Sequence, residues 1–369
     1  MNQSANSISK KTTLLGCDDA WDQFLDDNYD EEVEHTELNE VHDEKNIPKC
    51  SEIYISTKTK IAYLNKPIDL KKNFWKIPVM DYSSPTSGVL KKQIKYNIKN
   101  FEEADEVEKL LLNEGYVEQF QIQKIDNPEG KVKFKDIRKI SVGTCKKDIL
   151  SYRSKKKSAF YNCFVLILRV FYKDEFKECH VKVFNTGKLE LPGIQSDECL
   201  NLILKTLVDT LNKWCDLSIN LKKDKKTETV LINSNFSCKY FIDREKFVDI
   251  LKQSYNLNTT YDPCSYPGIM SKFYYDQQKN IQTGIEPSKE DKLIDTKRFK
   301  EISFMIFRTG SVLIVGKCEE FELMKIYEFL KTVLHDEYYN IRQIVNAPTK
   351  QKKKVVRRKI RKKTILVSK

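Results

Sequence analysis

Phe184-Asn185-Thr186-Gly187-Lys188-Leu189-Glu190-Leu191-Pro192-Gly193 and Phe307-Arg308-Thr309-Gly310-Ser311-Val312-Leu313-Ile314-Val315-Gly316 share the frame F-x-T-G-x5-G, 123 residues apart. A T-G pair between alternating apolar residues predicts a tight hairpin turn, with the glycine supplying a positive φ. The later glycine, Gly193 or Gly316, lets the chain leave a strand and enter a helix. Each copy follows a β-rich segment and precedes an amphipathic run of about twenty residues. The chain therefore reads as a tandem duplication of one strand–hairpin–helix unit.

Composition bounds the function. A chain of 369 residues, 40% of them hydrophobic, is long enough for a substantial core and for two or three domains. Residues 1–49 hold thirteen Asp/Glu against four Lys/Arg, a net of −9, so a total of +12 leaves +21 on residues 50–369. A body that basic expects a polyanion, with nucleic acid first. Ten cysteines occur without a C-x-x-C pair, and His35 and His42, two of the four histidines, lie in the acidic tail. Zinc-site spacing is absent, and scattered thiols fit a reducing compartment. No signal peptide or membrane-length apolar run is present; the run from Cys163 to Tyr172 is interrupted by Arg169. A soluble intracellular protein is expected.

Along the chain, residues 1–49 read as a disordered acidic tail. Within it Trp21 and Phe24 stand among Asp18, Asp19, Asp22 and Asp26. Aromatics embedded in acid suggest a short helix that folds on a partner or covers a basic groove in cis; a plain solvated tail is the alternative. Residues 50–220 form a first unit. It opens with a strand at 53–62, followed by an amphipathic stretch from Ile68 through Trp75. A span of about 76–158 reads largely as an insertion, with a helix from Glu102 to Asn113. Phe160–Tyr172 reads as a central strand, and Ser196 caps a helix with the stripe Leu200, Ile203, Leu204, Leu207, Leu211 and Trp214. Residues 221–347 repeat the order, with a polar loop at 276–300 and a final helix striped by Leu323, Ile326, Tyr327, Leu330 and Leu334. Residues 348–369 close the chain as a basic tail bearing Lys352, Lys353, Lys354, Arg357 and Arg358, suited to phosphate contact or to nuclear import.

At Tyr261-Asp262-Pro263-Cys264-Ser265-Tyr266-Pro267-Gly268-Ile269, followed by Ile306-Phe307-x-Thr309-Gly310, the sequence resembles the second repeat of the TATA-binding protein family. That family carries Y-E-P-E-L-F-P-G-L and then I-F-x-S-G-K. Asn233, five residues before Cys238, matches the opening strand N-I-V-G-S-C. Val183-Phe184-x-Thr186-Gly187-Lys188 and Ile68-Asp69-Leu70-Lys71 fit I-F-x-S-G-K and L-D-L-K in the first repeat. The resemblance covers roughly residues 52–345 and is most similar to the homologues of large DNA viruses. It implies an α+β saddle: two pseudo-repeats of a curved antiparallel sheet, each covered by a long helix, with the concave face meeting the DNA minor groove. Family members drive phenylalanines between base steps at both ends of the site and kink the duplex. Carried over, one pair is Tyr266 with Phe307 and the other Phe184 with Phe160; core packing is the rival role for Phe160 and Phe184. Asn233, Leu313 and Val315 fall on the implied DNA surface, Lys188 on a phosphate, and Asp262, Cys264 and Ser265 on the partner-binding loop.

Several positions depart from the family pattern. Glu190 and Pro192 replace groove-facing groups, and a carboxylate there is repelled by phosphate. The first-repeat asparagine is absent, with Tyr54 or Ile140 in its place according to which strand opens that repeat. Cys179-His180 lacks partner cysteines, no Gly-rich phosphate loop precedes a helix and no Ser/His/Asp set is visible, so neither an enzyme nor a cofactor or metal is expected. The resemblance implies a general transcription initiation factor, acting on double-stranded DNA with a transcription factor IIB-like protein and an RNA polymerase, in the nucleus or a cytoplasmic viral factory; a monomer suffices. The alternatives are a non-specific architectural DNA binder and an interaction hub of the transcription machinery that has lost DNA readout.

Overall fold

The computed structural model describes residues 47–150, 161–215, 218–295 and 297–343. The chain divides into Met1–Lys49 and Cys50–Lys369, and the sheet lies in the second unit. Among the described residues, twelve strands pair antiparallel throughout: β1 (Tyr54–Tyr63), β2 (Gly88–Ile98), β3 (Val117–Asp126), β4 (Phe134–Gly143), β5 (Cys163–Tyr172), β6 (Glu175–Phe184), β7 (Lys188–Ile194), β8 (Glu228–Ser237), β9 (Asn258–Thr260), β10 (Ile269–Asp276), β11 (Phe299–Ile306) and β12 (Ser311–Gly316). Their spatial order is β3-β4-β2-β5-β6-β7-β1-β8-β12-β11-β10-β9. Read outward from the β1–β8 contact, the two sides run β1-β7-β6-β5-β2 and β8-β12-β11-β10-β9, in the same relation to chain order. The fold is α+β around one large antiparallel sheet.

Helices join the strands, and the long ones cover one face of the sheet because each offers one apolar stripe. In order they are α1 (Leu70–Lys76), α2 (Phe101–Leu112), α3 (Lys146–Leu150), α4 (Asp197–Cys215), α5 (Arg244–Gln253), α6 (Lys289–Ile294), α7 (Glu320–Asp336) and α8 (Tyr338–Ile341). Leu200, Ile203, Leu204, Leu207 and Leu211 of α4 are buried in a cluster with Phe164, Leu166, Leu168, Val181, Val183, Leu189 and Leu191 of the sheet. Trp214, counted in the stripe from its spacing, is instead 44% exposed. On the other side, Tyr327 of α7 meets Phe236 edge to face at 5.0 Å, and Phe329 meets Phe273 at 5.2 Å. Asp69, Ser196 and Asp243 accept hydrogen bonds from the first-turn amides of α1, α4 and α5.

The span 76–158 holds more than inserted loop. β2 takes a full place beside β5, while β4 and β3 continue the sheet beyond it. Lys92 on β2 points to the helix face and is fully buried; its ammonium donates to the Ile77 carbonyl at 2.7 Å and to Glu114 at 2.6 Å. Burial lowers its pKa, and Glu114 pulls it back up. Arg169 likewise anchors the loop before β2 by donating to the carbonyls of Tyr82, Ser84 and Thr86.

Both T-G turns form as hairpins: Gly187 donates to the Phe184 carbonyl and Gly310 to the Phe307 carbonyl, each at 2.9 Å, with φ of 83° and 81°. A Cβ at Gly310 would fall 2.3 Å from the Tyr240 carbonyl oxygen. Gly310→Ala is therefore expected to destabilise the fold by more than about 1 kcal/mol, since backbone strain and a backbone clash coincide. The midpoint of urea unfolding measures this; an unchanged midpoint contradicts the hairpin geometry.

Candidate nucleic-acid interface

Strand register assigns side chains to the face opposite the helices. Val312 and Ile314 stand beside Phe236 and Ser234 on the helix face, which leaves Leu313 and Val315 with their partners Asn235 and Asn233 on the other. Asn233 donates from Nδ2 to Thr57 Oγ1 at 3.1 Å, across the β1–β8 junction. Asn233, Leu313 and Val315 are 7%, 5% and 3% exposed, so on that face they present almost no surface.

At the second-half end of this face, Tyr266 and Phe307 form an edge-to-face pair 5.9 Å apart. The Tyr266 hydroxyl donates to Met305 Sδ at 3.5 Å. Gly268 lies against both rings: a Cβ there would come within 2.9 Å of Tyr266 Cε1 and 3.1 Å of Phe307 Cε1. The loop that presents Tyr266 is closed by Asp262, whose carboxylate accepts from the Cys264 amide at 3.0 Å and from the Ser265 hydroxyl. Those bonds lower the Asp262 pKa, the Ser265 bond most. Its carbonyl also accepts from the Tyr266 amide at 2.9 Å. Cys264 and Ser265 are exposed on the loop, whereas both carboxylate oxygens of Asp262 serve the turn.

At the first-half end, Phe184 is half-buried with the Lys188 ammonium 5.3 Å from its ring centre. Phe160 lies outside the described residues, and register names its neighbour instead. Ile306, just before Phe307, pairs with Ile269; Val183, just before Phe184, pairs with Phe164. Three residues back from Ile269 is Tyr266, and three back from Phe164 is Tyr161. Tyr161 is 56% exposed, with the Lys95 ammonium 3.7 Å above its ring.

Two departures seen in the sequence acquire a structural meaning. Glu190 does face away from the helices, but it sits directly across from Lys182 and binds its ammonium at 2.8 Å. Thr59, 8% exposed, holds the place in β1 that Asn233 holds in β8, because Ile61 pairs with Glu190 as Asn235 pairs with Leu313. Neither residue named for that place occupies it: Tyr54 is 60% exposed at the strand start, and Ile140 is buried on the helix face of β4.

Burial pushes the Cys145 thiol up to about 11 and those of Cys179, Cys238 and Cys318 to about 12, which leaves them protonated. Among the described residues no cluster of three or more His, Cys, Asp and Glu could hold a metal, and no helix is long and apolar enough to cross a membrane. Trp21, Phe24, Lys352, Lys353, Lys354, Arg357 and Arg358 lie outside the described residues.

The chain is similar in sequence to a TATA-box-binding protein-like protein of Acanthamoeba polyphaga mimivirus. The two are 24% identical over 215 residues, 53% of this chain, and the chain spans about half (54%) the length of that relative. No family model matches the sequence. Among solved structures, Methanococcus jannaschii TBP is 12% identical, with a TM-score of 0.37 over 78% of this chain and 99% of that one.

The exposure and acidity of the thiols predict an order of modification. In the folded protein at mild alkaline pH, iodoacetamide is expected to label Cys264 well ahead of Cys145, Cys179, Cys238 and Cys318. Peptide mass spectrometry over a time course reads the order, and equal labelling of the five contradicts the loop geometry.

Proposed function

We propose that this protein is a DNA-binding transcription initiation factor of the TATA-binding-protein type. It seats duplex DNA by its minor groove on the face opposite the helices and bends it, and it recruits an RNA polymerase through a factor IIB-like partner. In this reading the sheet is a saddle of two pseudo-repeats whose concave side is the DNA surface. The Tyr266–Phe307 pair over Gly268 carries the proposal: two aromatic rings stand together at one end of that face, Tyr266 from a loop whose turn is tied by Asp262 and Phe307 from the hairpin at Gly310. The mimivirus relative, TATA-box-binding protein-like by name, supports it.

The pairs Tyr266–Phe307 and Tyr161–Phe184 act as wedges between base steps, Lys188 meets a phosphate beside Phe184, and the basic tail adds non-specific affinity. Asn233, Leu313 and Val315 contribute close contact at the centre. Their low exposure favours a second reading in which base selection is weak and the protein serves as an architectural bender. An infected cell's nucleus or a cytoplasmic viral factory is the proposed location. Selecting bound duplexes from a random pool separates the readings: an initiation factor yields a preferred sequence, a bender yields duplexes alike only in deformability, and a hub without DNA readout yields none.

Phe307→Ala and Tyr161→Ala are each expected to weaken DNA bending and binding by on the order of a few kcal/mol, the scale of one unstacked step, with Phe160→Ala smaller. Energy transfer between the duplex ends reads the bend; unchanged bending in both removes the wedges. Glu190→Gln releases Lys182, so affinity is expected to rise and the slope of log affinity against log salt to steepen by up to about one unit. Weaker binding by this variant contradicts the assignment.

A further inference from the structure

The two hairpin turns sit in corners built by the same backbone bonds. Leu64 donates to the Gly187 carbonyl at 2.8 Å and Cys238 to the Gly310 carbonyl at 2.9 Å; Ile68 donates to Asn185 and Ile242 to Arg308, both at 2.9 Å. Counting from these bonds, Lys66 holds the place of Tyr240 and Lys188 that of Ser311. The corners are nevertheless filled differently. Tyr240 is buried, donates to the Leu334 carbonyl at 2.7 Å and meets Tyr338 of α8 edge to face at 4.9 Å. Lys66 is exposed, and the connection from α4 to β8 joins it. That connection is tied down: Asn65 donates to the Asn220 carbonyl at 2.9 Å, Asn220 returns a bond to Asn65 Oδ1 at 3.0 Å, and Lys222 donates to the Tyr63 carbonyl at 2.8 Å. It then runs exposed through Lys222-Lys223-Asp224-Lys225-Lys226.

Register sets which way this corner faces. Tyr63 pairs with Lys188, and Ala62 with Leu189. Ala62 and Leu189 are buried in the cluster under α4, so Tyr63 and Lys188 turn to the opposite face, where Phe184 stands. The Lys225 ammonium lies 4.1 Å from the Tyr63 ring centre and that of Lys188 5.3 Å from the Phe184 ring centre. Six lysines thus belong to the corner, Lys66, Lys188, Lys222, Lys223, Lys225 and Lys226, against the carboxylates of Asp224 and Glu228. Among the described residues none of the six forms an ion pair, whereas Lys58, Lys60 and Lys182 of the neighbouring strands are bound by Glu320, Asp197 and Glu190. Like charges gathered without partners repel one another, and a polyanion relieves that repulsion.

We propose that the connection between the two halves is a phosphate clamp: Lys222, Lys223, Lys225 and Lys226, with Lys66 and Lys188, hold the backbone of duplex DNA just outside the base step at Phe184. This rests on the DNA-binding reading above. The occupant is duplex DNA rather than an acidic protein, because Lys188 and Lys225 lie against aromatic rings on the face that takes the duplex. Lysine ammoniums are compact point charges that meet phosphate oxygens without choosing a base. A clamp outside the wedge holds the duplex on both sides of the kink, which offsets part of the cost of bending it.

The test uses the full chain and a duplex taken from the random-pool selection, with long flanks on both sides. Replacing Lys222, Lys223, Lys225 and Lys226 together by Ala is expected to lower the slope of log affinity against log salt by up to about 3.6 units, near 0.9 for each phosphate contact. The same variant is expected to lose protection from hydroxyl radicals on one flank only, beside the step that Phe184→Ala leaves stacked. Arg at all four positions is expected to keep both the slope and the footprint. Lys205→Ala/Lys252→Ala, which removes two exposed lysines of α4 and α5, is the control for net charge. If the fourfold Ala variant does not fold, Lys225→Gln alone is expected to lower the slope by about one unit. A drop per charge no larger than in the control, or an unaltered footprint, overturns the clamp while leaving the wedges standing. Wild type that binds no duplex overturns both. Loss of polyglutamate binding by the variant at an unchanged DNA salt slope assigns the loop to an acidic protein and overturns the proposal.

Discussion

The pairing of β1 with β8 is the constraint on which the remaining structure depends. Each half on its own would end in a bare strand edge, with unpaired amides and carbonyls and one long helix over a partial sheet. Joining the edges makes one sheet and sets both helix layers on the same side. Register shifts between Ile55 and Thr57 and between Thr59 and Lys60 interrupt the pairing, and such bulges sharpen strand twist. Lys58 and Lys60 of β1 then reach Glu320 and Asp197, the first residues of α7 and α4, at 2.6 and 3.2 Å. These ion pairs are partly exposed and individually weak. Their geometry nevertheless ties both helix starts to one strand, while burial of the leucine and isoleucine stripes supplies most of the stabilisation.

From this junction the candidate surface gains two ends. Apolar faces turned toward α4 and α7 oblige the alternate residues of every strand to face away. The hairpins at Gly187 and Gly310 then deliver Phe184 and Phe307 to matching strand ends. Tyr266 is held by a loop whose acidic residue is engaged in its own turn, and Gly268 leaves room for two rings where any side chain would separate them. Small, rigid devices of this kind suit an interaction that must unstack bases without first ordering a loop. Glu190 fits the same account: cross-strand pairing with Lys182 offsets a charge that would otherwise oppose a polyanion.

Much of this was legible in the sequence. The repeated F-x-T-G frame marks both hairpins, the leucine stripes mark α4 and α7, and Tyr266-Pro267-Gly268 marks the loop end. What was not legible depended on pairing. Phe160 and Tyr161 are adjacent aromatics, and only the Phe164–Val183 register distinguishes them. Gly88–Ile98 carries Lys91, Lys92 and Lys95, which read as a polar insertion; that Lys92 is buried against Glu114 and Ile77 follows from tertiary packing alone. Trp214 continues the α4 periodicity yet is largely exposed while the adjacent Cys215 is buried, a difference the spacing alone does not carry. The low exposure of Leu313 and Val315 had no signal in the local pattern, which set only their face.

The central claim is that aromatic pairs at the two ends of one sheet face open two separate base steps. Duplexes of a selected sequence, each with a single 2-aminopurine at a different position, test it most directly, because the fluorescence of that base rises when it is unstacked. The account predicts enhancement at two positions within the bound site, one lost in Phe307→Ala and the other in Phe184→Ala. Uniform fluorescence along a duplex that is nevertheless bound would contradict it.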